Sequence, residues 1–182
     1  MKETKWYCRY LVGSDPTGIT GIKSEACPSV LLTLSPHTVL MDKMNNVFLE
    51  VGVINESQTT PKDEKEKTEG QRWQAPEVTE KKDRVDPNKA AVFSLGLVLW
   101  EIETGQVPFG EQDAVNACRQ VTAGILPPME KVGDAEFAEL ILNCLSVNPV
   151  DRPTLAELAS FLETHSFQAT LEDSKLDIQN QS

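Results

Sequence analysis

The sequence predicts one mainly α-helical domain with a short β-hairpin near its start, and the prediction rests on where the apolar residues recur. Beyond Gln71 they return at intervals of three and four residues, the repeat that gathers side chains on one face of a helix. Within that region Lys89–Thr104 is apolar nearly all round, the mark of a helix buried on every side. Upstream the apolar runs are short and partly β-branched: Ser29–Leu34, Thr38–Met41 and Val47–Leu49, with the polar turn Asp42–Asn46 before the last.

Taken in order, residues 1–27 read as an irregular or partly helical lead-in, because Gly13, Pro16, Gly18 and Gly21 interrupt whatever Trp6–Val12 begins. The domain spans residues 28–165. Inside it residues 53–71 read as a flexible loop, almost without apolar residues and carrying the charge run Lys62–Lys67. The central helix closes at Gly105, whose freedom to take positive φ suits a helix end. Asp113–Ala123 follows with Ala114, Val115, Cys118 and Val121 on one side, and Gly124 ends it. Asp134 caps a third helix whose apolar residues are Phe137, Leu140, Ile141, Cys144 and Leu145, stopped by Asn148-Pro149. Thr154 and Glu157 form a capping box for a fourth, with Leu155, Leu158, Phe161 and Leu162 inward and its end near His165. Residues 166–182 read as a solvated polar tail.

The composition narrows the function. With 182 residues, 40% hydrophobic and 25% charged, the chain has enough apolar surface for a full core. Its net charge of −11 repels phosphate backbones and anionic membrane surfaces, which argues against nucleic acid and membrane partners. Cys8, Cys27, Cys118 and Cys144 lack paired metal-ligand spacing, and only two histidines could complete a zinc site. No secretory signal is legible before Tyr10, and the most apolar stretch, Ala90–Trp100, is far shorter than the roughly 18–20 residues of a membrane span. The expectation is a cytoplasmic chain with reduced thiols.

Three stretches carry a resemblance to a known family: Arg72-Trp73-Gln74-Ala75-Pro76-Glu77, Ala91–Ile102 and Asn148-Pro149-Val150-Asp151-Arg152-Pro153-Thr154. In this order and spacing they resemble the C-terminal lobe of a protein kinase, of the tyrosine-kinase or tyrosine-kinase-like type, from about Val30 to Thr164. The resemblance implies a kinase-like C-lobe fold without the small N-terminal lobe, because no Gly-rich phosphate loop or Val-Ala-Ile-Lys strand precedes it and Gly18–Gly21 is too short to serve. It also implies that Glu77 pairs with Arg152 in the interior. Losing one partner of such a pair would strand the other charge at about 3–5 kcal/mol.

The residues that carry the family's chemistry are replaced. An ungapped reading of Leu31–Asp42 matches Pro36, Leu40 and Asp42, but puts Thr33 where the family has its catalytic Asp, Ser35 at the catalytic Lys and Thr38 at the metal-binding Asn. The second metal-binding position falls on Val51, or on Glu50 if the alignment shifts by one. A neutral hydroxyl neither accepts a substrate proton at pH 7 nor holds a hard cation well. The Asp that usually opens the central helix is Ala91, and the Arg that receives an activating phosphate is Leu32. Phosphorylation at Ser57, Thr59, Thr60 or Thr68 would thus lack its partner. His37 reads as an exposed loop histidine, and Leu99 and Trp100 as core.

By resemblance Gln71, Arg72, Trp73 and Gln74 match the segment that reads the peptide beside a phosphoacceptor, with Trp73 as packing anchor. The expected function is a noncatalytic, kinase-like interaction module, a pseudokinase that binds a protein or peptide through this groove and the Gln112–Gly124 helix, with no cofactor. Two alternatives stand: a divergent ATP- and magnesium-dependent Ser/Thr or Tyr kinase whose small lobe is supplied elsewhere, and a truncated relic.

Overall fold

The computed structural model describes residues 32, 34–41, 47–49 and 68–165. The readings for residues 1–27 and 166–182, for most of the loop at 53–71, and for Thr33, Glu50 and Val51 lie outside the described residues. In the N-terminal part β1 (Val39–Met41) pairs antiparallel with β2 (Val47–Leu49), in the register Val39 to Leu49, Leu40 to Phe48 and Met41 to Val47. The rest is helical: α1 (Pro76–Thr79), α2 (Pro87–Thr104), α3 (Ala114–Thr122), α4 (Ala135–Cys144) and α5 (residues 155–165).

α2 is the pillar. Every residue from Ala90 to Trp100 is buried, as a nearly all-apolar sequence demands, and the one hydroxyl, Ser94, donates to the Ala90 carbonyl. The helix starts two residues before the apolar pattern does, because Asp86 accepts hydrogen bonds from the amides of Asn88 and Lys89 while Pro87 occupies the first turn, where a missing N–H is no loss. It ends at Gly105, whose φ of 67° lets its amide turn back to the Glu101 carbonyl at 2.8 Å. The Trp100 indole, fully buried, donates to the Pro128 carbonyl at 3.2 Å and so fastens the loop after α3 to the pillar.

α4 packs on α2 with almost no gap. A Cβ at Gly96 would lie 2.8 Å from Cys144 Cβ and 3.0 Å from Leu145 Cδ2, so only glycine allows this approach. Burial there pushes the Cys144 thiol up to about 12. Asp134 caps α4 by accepting from the Phe137 amide at 3.0 Å, and Phe137, Leu140, Ile141, Cys144 and Leu145 face inward. α3 is capped in the same way by Asp113, at 2.8 Å from the Asn116 amide. Its buried side is Ala114, Ala117, Cys118 and Val121. Val115, expected inside, is 44% exposed; Ala117 takes the inward place because Ala114, Ala117, Cys118 and Val121 recur at three and four residues and make one stripe that leaves Val115 beside it. Thr154 and Glu157 close a reciprocal capping box on α5, and the Thr154 amide and hydroxyl, both donating to the Glu157 carboxylate, hold that carboxyl below its ordinary range.

One ion pair ties these elements together. The Arg152 guanidinium meets both Glu77 oxygens, Nη1 to Oε1 at 2.6 Å and Nη2 to Oε2 at 2.9 Å, with the two side chains 0% and 3% exposed. The same guanidinium donates to the carbonyls of Ser146, Lys89 and Val147, so its five donors meet five acceptors. It also lies 4.8 Å over the Phe93 ring. Lys89 reciprocates by donating from Nζ to the Arg152 carbonyl. Among the described residues no helix is long and apolar enough to cross a membrane.

Two substitutions test this packing. Gly96→Ala should lower the melting temperature even though alanine is the better helix former, because the overpacking cost of about 1–3 kcal/mol exceeds the roughly 1 kcal/mol gained in propensity. Glu77→Ala should cost about 3–5 kcal/mol in urea unfolding, and Arg152→Lys should fail to rescue the fold, since one ammonium cannot supply five forked donors.

Candidate functional site

The loop that the sequence aligns with a catalytic loop is folded onto itself. Leu34 and Ser35 are buried at 1% exposure, which pins the loop to the core. Thr38 then turns back: its hydroxyl accepts from the Ser35 amide and donates to the Ser35 carbonyl, each at 3.0 Å, while its own amide reaches the same carbonyl. This is a side-chain and backbone closure of the kind Ser and Thr favour in tight turns. Leu32, where the resemblance puts a phosphate-receiving Arg, packs partly buried against the core. His37 is exposed and meets the Trp73 ring edge-on, 5.5 Å between centroids.

The segment opposite this loop is more ordered and more buried than the sequence suggests. Residues 68–70 are helical and Gln71–Trp73 form a 3-10 turn, where the sequence reading runs a flexible loop to residue 71. The reason is tertiary. Gly70 sits over Ser35, and Arg72 and Trp73 point into the interior at 4% and 3% exposure. Arg72 Nη1 donates to the carbonyls of Pro108 (3.1 Å) and Phe109 (2.9 Å), and Nη2 to the carbonyl of Gln112 (2.9 Å) and to Glu69 (3.2 Å). Its Nε is left without an acceptor. The Arg72 bonds also hold Phe109 at φ 53°, a left-handed conformation that costs a non-glycine residue about 1–2 kcal/mol.

The peptide groove expected at Gln71, Arg72, Trp73 and Gln74 thus has Trp73 inside, as its packing anchor, and Arg72 turned inward beside it. Two of its four side chains brace the interior, and only Gln71 and Gln74 reach the surface, both half-buried. Trp73 donates from Nε1 to Glu101 Oε2 at 3.0 Å. Burial raises the pKa of that half-buried carboxyl, against the lowering effects of the Trp73 hydrogen bond and the Arg72 charge.

The concave surface lies one step away, on α3. A cavity of about 320 Å³ opens between α1 and α3, with Thr79 and Glu80 on one wall, Val115, Cys118 and Arg119 on the other, and Gln71 at one end. Thr79 Oγ1 and Cys118 Sγ meet across it at 3.1 Å. A shallower hollow runs along the outer side of α3 past Gln112, Asn116 and Ile125. Sequence reasoning placed interest on α3 but missed Thr79, whose only sequence signal is its place one helical turn after Ala75-Pro76. Among the described residues no three His, Cys, Asp or Glu side chains gather to hold a metal.

The Glu101 contact is testable by pH. A carboxyl whose folded pKa is raised costs stability once ionised, a cost that disappears as the pH falls through the folded value. Glu101→Gln keeps an acceptor for Trp73 and removes the charge. Its melting temperature should gain on that of the wild type as pH rises above the ordinary carboxylate range, and the gain should shrink at acid pH.

Comparison with known proteins supplies the family. The chain is 40% identical over 88 residues to mitogen-activated protein kinase kinase kinase 3 of Arabidopsis thaliana, which spans 47% of this chain and 16% of that protein. It is 34% identical over 123 residues to mitogen-activated protein kinase kinase kinase 9 of the same plant, or 66% of this chain and 16% of the relative. It is 35% identical over 95 residues to the Arabidopsis serine/threonine/tyrosine-protein kinase HT1, covering 52% of this chain and 24% of the relative. The chain thus spans a quarter or less of the length of these relatives. Residues 37–162, well over half of the sequence, match the protein tyrosine and serine/threonine kinase family as a whole, and to that family the chain belongs.

Proposed function

We propose that this chain is a kinase-like domain that has left phosphoryl transfer behind and acts by binding a protein or peptide in the cytoplasm, without nucleotide or metal. The observation that carries the reading is Thr38. At the position where the resemblance puts a metal-binding Asn, a hydroxyl closes on the backbone of Ser35. A side chain committed to its own loop, and neutral at pH 7, is a poor ligand for magnesium. The frame built on α2 and the Glu77–Arg152 pair is intact beside it, so the reading does not require a damaged fold.

The binding surface in this reading is α3 with the α1–α3 cavity. The 44% exposed Val115 at its rim and the 51% exposed Ile125 in the hollow beyond are apolar groups left in water beside hydrogen-bonding side chains, the mix found at interface cores and rims. The alternative is a divergent ATP-dependent kinase completed by a small lobe.

Thermal unfolding with and without ATP and magnesium separates the two. A nucleotide at 100 times its dissociation constant adds about 2.7 kcal/mol, a rise of several degrees for a domain of this size. The expected result is a cooperative transition that does not move. A rise with nucleotide would overturn the noncatalytic reading, and the absence of any transition would favour a relic.

A further inference from the structure

The outer side of α3 carries two opposite charges that do not meet. Arg119 and Glu111 line the same hollow, yet among the described residues neither has an ion-pair partner. Arg119 is held in place by neutral groups: its Nη1 donates to Asn116 Oδ1 at 3.1 Å, and Asn116 Nδ2 donates to Asp113 Oδ2 at 2.8 Å. Nη2 and Nε of the guanidinium are left for an outside acceptor. The nearby carboxylates are committed, since both Asp113 oxygens accept from Asn116 and Glu80 pairs with Lys82 at 3.0 Å. Midway in sequence between Glu111 and Arg119 stands Val115, 44% exposed and one helical turn from Arg119 on the same face.

We propose that the occupant of this face is a second copy of the same chain, the two α3 helices lying antiparallel across a twofold axis at Val115. The inference rests on the reading of α3 as a binding surface and names its partner. Register argues for it. A twofold axis between antiparallel helices sets the residue a given number of places after the axis on one copy against the residue as many places before it on the other. With Val115 on the axis, Arg119 of each copy meets Glu111 of the other, so two charge-assisted contacts form and each Val115 covers its counterpart. A partner of one charge sign fits less well. Among the described residues lining the two hollows Arg119 is the sole cation, beside the carboxylates of Glu80, Glu111 and Asp113, so an acidic partner meets those carboxylates and a basic one meets the guanidinium. The net charge of −11 opposes self-association at long range, and salt at about 0.15 M confines that repulsion to roughly 8 Å. An interface built on one helix face is small, so the dimer depends on concentration.

Sedimentation velocity of the full chain across a concentration series at about 0.15 M salt should show a monomer–dimer equilibrium. Arg119→Glu and Glu111→Arg, each alone, bring like charges together twice and should weaken the dimer at least about tenfold. Mixing the two variants should restore it, because each then supplies the charge that the other lacks. Val115→Lys sets two ammonium groups against each other on the axis and should leave a monomer; should a charge reversal fail to fold, this variant carries the test. A wild type that stays monomeric overturns the proposal, as does a dimer that none of the variants weakens or a mixture that stays monomeric. A monomer whose thermal transition ignores ATP and magnesium overturns the dimer alone, whereas a dimer whose transition rises with them overturns the noncatalytic reading alone.

Discussion

The buried pair of Glu77 and Arg152 is the constraint on which the rest of this structure depends. Arg152 stands between the 3-10 turn Pro149–Asp151 and α5, yet its five hydrogen bonds reach α1, the start of α2 and the loop after α4. A guanidinium with no exposed surface is tolerable only when every donor is met and an opposite charge is in contact. Meeting that demand forces segments far apart in sequence into one place. Glu77 is 75 residues away, and its own position is set by α1, whose first turn begins at Pro76. The pair acts less as a source of net stability than as a condition that few alternative packings satisfy.

Around this point α2 acts as a rigid axle. The burial of Ala90–Trp100 on all sides leaves that stretch no face for solvent, and neighbours are fixed to the helix by direct contact: α4 through Gly96, the loop after α3 through Trp100, and the segment before α1 through Trp73 and Glu101. Arg72 extends the arrangement to the turn at Pro108 to Gln112, where it holds a left-handed Phe109. The cavity between α1 and α3 is a consequence of this bracing. Its two walls belong to elements anchored independently, α1 by Glu77 and α3 by Ala117, Cys118 and Val121 in the core.

The contacts that hold the frame lie apart from the loop that the resemblance aligns with a catalytic loop. The helices, the ion pair and the glycine contact stabilise the fold through burial and hydrogen bonding that involve no reacting group. The loop of Leu34 to Thr38 is held by Leu34 in the core and by the Thr38 turn, so it keeps its place without any carboxylate.

Sequence alone determined the elements whose cause is local. Helix periodicity, the Asp and Thr caps and the terminal Gly105 depend on residues within a turn or two of one another, and α2, α3, α4 and α5 are all legible from them. The family was legible in three motifs, and with it the pairing of Glu77 and Arg152, which no periodicity could suggest. Tertiary structure decided the rest. It buried Arg72, which by resemblance lies in a peptide-reading segment, and tied down the anchor Trp73, because carbonyls of Pro108, Phe109 and Gln112 and the Glu101 carboxylate supply partners some 28 to 40 residues away. The burial of a polar side chain depends on distant partners, and local sequence does not encode their arrival.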